Sequence, residues 1–197
     1  MRNFDSKKDL ILDAALKAAI QKGTSNVTVR EVAKSAGVNV AAINYYFSSK
    51  HQMLKSLDRL FWDNFNEAFK ELDRTDKEAE EKLLDWMVDA LSYAVHYPGI
   101  VVILREKFAS PKTAEDIVYR DKLYENIGKV RKLFNEVVGC DEADKKLFTM
   151  FSSAVLWPYL ALPFVIGEVP SFASHKEMYE FCKFNLDFYK NKNFGGK

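Results

Sequence analysis

Apolar positions recur along this chain at helical spacing, and the clearest run is Thr28–Lys50, TVREVAKSAGVNVAAINYYFSSK. Val29, Val32, Ala33 and Ala36 stand at i, i+3, i+4 and i+7, which puts them on one face of a short helix. Gly37 predicts its end, because a residue without Cβ enters the left-handed region at no steric cost. Asn39 is placed to cap a second helix, on which Ile43 and Phe47 lie one turn apart on the inner side. Ala41, Ala42, Asn44 and Tyr45 then face outward, and all are small or hydrogen-bonding. Two short helices around a glycine turn, with such a face left free, predict a helix-turn-helix whose second helix enters a DNA major groove.

The remaining pattern is also helical. Ser6 with Asp9 reads as a capping box for an alanine-rich first helix through Gln21, stopped by Gly23. Thr28 caps the second helix, and its hydroxyl is equally placed to reach a phosphate. Ser49 caps a long fourth helix to about Leu72, with an apolar stripe of Met53, Leu54, Leu57, Leu60, Phe61, Phe65, Ala68 and Phe69. A fifth is expected over Lys77–Tyr97, ended by Pro98-Gly99, and a sixth over Ile100–Phe108. Ser110-Pro111 opens a seventh to about Val138, and Asp141 an eighth through Trp157, where Pro158 should kink or end it. After a loop at Gly167–Ala173, Ser174 with Glu177 caps a last helix, Lys176–Tyr189. No segment alternates like a strand. The expected fold is all-α, with about nine helices: a three-helix domain of residues 1–50 and a helical domain of residues 51–197, linked by the fourth helix.

At 197 residues the chain can bury one or two cores, and 48% hydrophobic with 29% charged residues excludes a disordered class. The net charge of +1 is uninformative, but it is unevenly placed: residues 1–60 carry +5 and the remainder −4. The positive excess surrounds the helix-turn-helix, as neutralisation of phosphates requires. Cys140 and Cys182 form no CxxC, so free thiols in a reducing cytoplasm are expected. Thr149–Gly167 is uncharged over nineteen positions, yet Ser152, Ser153, Pro158 and Pro163 favour a buried interface helix over a membrane span. His51, His96 and His175 are scattered without ligand-spaced partners, so no metal is expected. No cofactor or enzymatic activity is expected either, since neither a nucleophile–base set nor a phosphate-cradling glycine loop is present.

The block ILDAALKAAIQKG followed by VTVREVAKSAGVNVAAINYYFSSKHQML resembles the N-terminal domain of the TetR family of transcriptional regulators. The resemblance covers about the first 55 residues and rests on the helix-1 AA pair, T-V-R-E-V-A, A-G-V and the Y-Y-F-x-S-K ending. It implies a cytoplasmic, homodimeric DNA-binding regulator, usually a repressor, on a near-palindromic operator. It also implies release of double-stranded DNA when a small-molecule effector enters a C-terminal effector-binding and dimerisation domain. Carried onto matching positions, the family's DNA contacts are Thr28, Arg30, Val40, Ala41, Ala42, Asn44, Tyr45, Tyr46 and Lys50. Many members have Thr where Ala42 stands and Tyr where Asn44 stands, so the operator sequence does not carry over.

Among these, Asn44 is the sharpest base reader, because one amide both donates and accepts against adenine. Tyr45 and Tyr46 sit about 100° apart on a helix, so Tyr45 is expected toward phosphate and Tyr46 partly packed. Lys50 stands at a helix start, where the dipole also favours phosphate. For the effector, Trp86, Tyr93, Phe108, Tyr119, Tyr124, Phe148, Phe151 and Trp157 are candidates to line an apolar pocket, although core packing accounts for them as well. An uncharged or apolar effector is expected. Phe148, Phe151, Val155, Phe181, Phe184 and Phe188 are candidates for a four-helix homodimer contact, because the aromatics cover more of the last helix than one core face needs. The absence of Lys and Arg from Asn39–Phe47 keeps a second reading open, a helical ligand-binding or interaction protein that has lost specific DNA reading.

Overall fold

Ser, Thr and Asn side chains set where the helices of the N-terminal half begin. In the computed structural model, which describes residues 6–97, 103–105, 113–140, 145–160 and 171–191, Ser6 accepts from the Asp9 amide at 3.2 Å and starts α1, Lys7–Lys22. Gly23, at φ 84°, ends it, and a 3-10 turn over Thr24–Asn26 leads to α2, Val29–Ser35. Asn39 caps α3, Val40–Phe47, and Ser49 caps α4, Lys50–Lys70. Each such cap satisfies one of the amides a helix start leaves without a partner.

A 3-10 turn at Glu71–Asp73 separates α4 from α5, Ala79–His96; then come α6, Ala114–Val138, α7, Lys145–Leu160, and α8, His175–Asn191. Residues 103–105 are helical too, while the expected helix over Ile100–Phe108 and the starts at Ser110-Pro111 and Asp141 otherwise lie outside the described residues, as do Pro98-Gly99, Pro163 and residues 167–170. The start of α6 carries a capping box of Thr113 and Asp116, each side chain bonding the other's amide at 3.0 Å. Every element among the described residues is helical, as the periodicity predicts.

Pro158 does not end α7, which runs two residues further to Leu160. Its missing N–H leaves the Ala154 carbonyl without a helical partner, but Ala154 is exposed and water can take that bond. No helix of the described residues is long and apolar enough to cross a membrane.

Two cores result. The first joins α1–α3 to the first two-thirds of α4: Ile11, Leu16, Val32, Ile43, Phe47, Met53, Leu57 and Trp62 are all buried in it. The second fills the C-terminal half, where Leu83, Met87, Leu91, Phe134, Phe151, Cys182 and Leu186 come together. Here Phe134 stacks on Phe151 at 4.4 Å, and Tyr189 meets both rings edge-on at 5.8 Å. Along α4 the changeover falls between Trp62 and Phe69, so this one helix belongs to both cores. Central to the second is α5, packed against α4, α6, α7 and α8. Lys183 and Lys190 of α8 both reach Glu80 of α5 at the surface, and Lys129 of α6 reaches Asp73 at 2.8 Å.

Candidate nucleic-acid interface

The reading face is built by a turn that is tightly specified. Val32 and Ala33 are buried and hold α2 against α1. Gly37 stands at φ 66°, where a side chain would be strained, and Val38 donates back to the Ala33 carbonyl at 3.0 Å. Asn39 Oδ1 then accepts from the Ala42 amide at 2.7 Å. On α3, Ile43 and Phe47 are buried, which turns the other side of the helix outward.

That outward side carries Val40, Ala41, Asn44, Tyr45 and Tyr46, all exposed, with Ala42 half-buried beside them. Tyr45 is 83% exposed and Tyr46 37%, and their rings meet edge-on at 5.2 Å. Tyr45 therefore projects into solvent while Tyr46 leans back toward Phe47, whose ring lies 6.4 Å away. The chain leaves α3 through Ser48 at φ 61°, a left-handed residue without glycine's freedom. This turn is what aims the start of α4, and nothing in the hydrophobic pattern announces it.

Positive charge flanks a neutral centre. Arg30 and Lys34 are exposed on α2, and Lys50, also exposed, opens α4 and donates to the Ser25 carbonyl at 3.2 Å. Lys34 is not among the sequence candidates, although its place one turn after Arg30 on the same helix could have signalled it. The Thr28 hydroxyl accepts from the Glu31 amide at 3.3 Å and so serves as a cap, while remaining exposed. Glu31, the acid nearest this surface in sequence, pairs with Lys22, whose hydrogen bond holds its carboxyl below the usual range. Its charge is thus offset within the domain. Neutral side chains at the centre with cations at the edge suit a helix that reads base edges while its neighbours hold phosphates.

The structure scatters the eight aromatic candidates for an effector pocket. Trp86 is buried against Phe69, with its Nε1 lacking a hydrogen-bond partner; the buried hydroxyl of Tyr93 lacks one too. Tyr119 is half-buried and stacks on Trp62 at 4.2 Å, and Phe148 is half-buried beside Phe134. Phe151 is wholly enclosed in the second core. Tyr124 and Trp157 correct the expectation in the other direction: they are 63% and 59% exposed and line no interior space. Phe108 lies outside the described residues. A cleft of about 350 Å³ does exist between α4 and the start of α6, lined by His51, Leu54, Lys55, Asp58, Trp62, Thr113 and Asp116. It contains none of the eight.

Of the six dimer candidates, Phe184 and Phe188 are exposed on α8, Phe181 and Phe148 are half-buried, and Phe151 and Val155 are buried within the protomer. The last two are corrected to core residues: their i, i+4 spacing continues Leu147, which is also buried. The opposite side of α7 exposes Met150, Ser153, Ala154 and Trp157, a second helical stripe that sequence reasoning missed. Its i, i+3, i+4, i+7 spacing was the available signal.

Comparison with known proteins agrees with this geometry. Residues 11–57 match the family model described as bacterial regulatory proteins, tetR family. The chain is 27% identical over 181 residues to the probable HTH-type transcriptional regulator YttP of Bacillus subtilis, covering 87% of this chain and 85% of that protein. It is 25% identical over 139 residues to the HTH-type transcriptional repressor KstR2 of Mycolicibacterium smegmatis, covering 71% and 66%. Its fold is similar to that of PfmR, a TetR family transcriptional regulator from Thermus thermophilus, at a TM-score of 0.59 and 21% identity, covering 96% and 98% of the two chains. With a helix-turn-helix of this build at its N-terminus, matched over residues 11–57 by the tetR-family model, and a fold similar to that of TetR family regulators, the chain is a DNA-binding transcriptional regulator.

Proposed function

We propose that the protein is a cytoplasmic homodimeric repressor that binds a near-palindromic operator and releases it when an apolar or uncharged small molecule enters its C-terminal helices. The observation that carries the DNA part is the outward side of α3, where Val40, Ala41, Asn44, Tyr45 and Tyr46 are exposed beside Arg30 and Lys50 while Ile43 and Phe47 anchor the helix. Asn44 reads a base, Ala41 and Ala42 allow close approach, and Thr28, Arg30, Tyr45 and Lys50 hold phosphates.

The homodimer reading is supported by apolar side chains on two adjacent helices: Met150 and Trp157 on α7, Phe184 and Phe188 on α8. Two helices from each copy make a four-helix isologous contact, in which the same patch meets itself. Such a pair sets its two α3 helices about one DNA turn, ~34 Å, apart. An effector weakens DNA binding only by favouring the conformation in which that separation is wrong.

Footprinting on the DNA beside the protein's own gene, with wild type, Asn44→Ala and Lys50→Ala, tests the reading. Wild type should protect two half-sites, and both variants should bind more weakly. Equal binding by all three proteins would place the reading surface elsewhere, and no preference for that DNA would favour a ligand-binding protein without specific DNA reading.

A further inference from the structure

Tyr97 is the residue after α5, the central helix of the C-terminal half, yet its ring is only 1% exposed and lies in the first core among residues of α1–α4. Its hydroxyl donates to Asp13 Oδ1 of α1 at 3.0 Å. His96 Nε2 lies 3.4 Å from the same oxygen, and Lys17 holds Oδ2 at 2.9 Å. Two neighbours fix the ring: Tyr93 meets it edge-on at 5.0 Å and His96 at 4.5 Å. Burial, with the Asp13 carboxylate beside it, holds the phenol far above its ordinary range, so it stays a donor at every working pH.

The two ends of this contact belong to different bodies. Asp13 moves with α1, which packs on α2 and α4 and carries the reading helices. Tyr97 follows α5, which packs on α6, α7 and α8 as well as on α4. The α4 helix joins the two cores covalently, and the Tyr97 ring, Ile103 and the Tyr119 ring stacked on Trp62 also bridge them. These apolar contacts are non-directional and restrain rotation about the α4 axis only loosely. A directional hydrogen bond off that axis removes the rotation, because a charged acceptor and a fixed ring tolerate little angular error.

We infer that Tyr97, which lies off the reading face, is a positioning residue for DNA binding: through Asp13 it fixes the angle at which the C-terminal half presents α1–α3. This rests on the two-headed operator binding proposed above. In a symmetric dimer that angle determines the distance between the two α3 helices, and hence the spacer tolerated between half-sites. Loss of the hydroxyl therefore relaxes the spacing, while the base sequence of each half-site is untouched.

The test is selection from random double-stranded DNA with the full-length wild type, Tyr97→Phe and Asp13→Asn, followed by affinities on the selected site and on versions one base pair longer or shorter. Phe keeps the ring packing and removes only the donor; Asn keeps an acceptor for it. For Tyr97→Phe the expected result is the same half-site with a preference for the best spacer reduced at least about threefold, the scale of one modest hydrogen bond. Asp13→Asn should retain the wild-type preference. An unchanged preference in Tyr97→Phe, or an equal loss of affinity at all spacers, overturns the inference, since a merely structural residue behaves in the second way. Should Tyr97→Phe fail to fold, Asp13→Ala breaks the contact from its more accessible side and must flatten the spacer profile equally. If wild type enriches no paired half-sites, the operator reading itself fails and the inference falls with it.

Discussion

The ammonium of Lys50 donates to the carbonyl oxygen of Ser25 at 3.2 Å, tying the first residue of α4 to the turn that precedes α2. A cation so held is presented at the edge of the reading surface with part of its conformational freedom already removed. Lys50→Gln should therefore make the plot of log affinity against log salt shallower by about 0.9 for each phosphate that is no longer neutralised. Binding isotherms by fluorescence anisotropy at several NaCl concentrations read this directly. Because the residue is exposed, thermal stability should change by no more than about 0.5 kcal/mol. An unaltered salt slope would remove Lys50 from the phosphate-binding set.

Asn44 should behave differently. It is exposed on α3 between the buried Ile43 and the exposed ring of Tyr45. Replacing it with Ala removes a donor and an acceptor but no charge. The expected loss is about 1–3 kcal/mol on the cognate base pair, with the salt slope unchanged and the protein tolerating any base at that position. Competition with single-base variants of the footprinted site measures it. A uniform loss over all variants would assign Asn44 to the backbone instead.

The parts of this structure legible from sequence are those written in local chemistry. Ser6, Thr28, Asn39, Ser49 and Ser174 all accept from the amide three residues on, and each is marked in the sequence by its position before an apolar period. The C-terminal half is harder where a helix carries apolar residues on both sides, as α7 does. On α7, Leu147, Phe151 and Val155 form one stripe and Met150, Ala154 and Trp157 another, both at helical spacing. Periodicity cannot choose between them; the docking of α5, α6 and α8 buries the first and leaves the second. Ser48 illustrates another limit: its positive φ comes from how α3 meets α4, not from its own preference.

Cysteine reactivity gives a test of the second core. Cys182 is fully buried, and burial pushes its thiol from 9.0 up to about 12. Cys140, half-buried, donates to Asn135 Oδ1 at 3.4 Å. At pH 8 the native protein should be alkylated by iodoacetamide at Cys140 first, with Cys182 modified only as the core opens. The sign of the linkage follows. The folded state keeps the Cys182 proton to higher pH than the unfolded state, so its contribution is complete below pH 9 and declines as pH rises toward about 12. Peptide mass spectrometry after timed labelling distinguishes the two thiols, and rapid native labelling of Cys182 would contradict this core.

Phe134 and Phe184 separate folding from association. Phe134 is wholly enclosed, stacked on Phe151 and edge-on to Tyr189, so Phe134→Ala should cost about 3–5 kcal/mol of protomer stability. Phe184 is 71% exposed on α8, the same helix that buries Cys182 and Leu186 on its other side. Its truncation leaves the protomer's core intact and removes an apolar anchor from the proposed homodimer face. Phe184→Ala should therefore weaken self-association, read by sedimentation velocity over a dilution series, without a matching loss of helicity. Trp157, exposed on α7, gives the independent check, because Trp157→Ala should add to the effect if α7 and α8 form one patch. Both variants remaining as dimeric as wild type at every dilution would move the interface off these helices. It would also remove the geometric basis for setting two α3 helices one DNA turn apart.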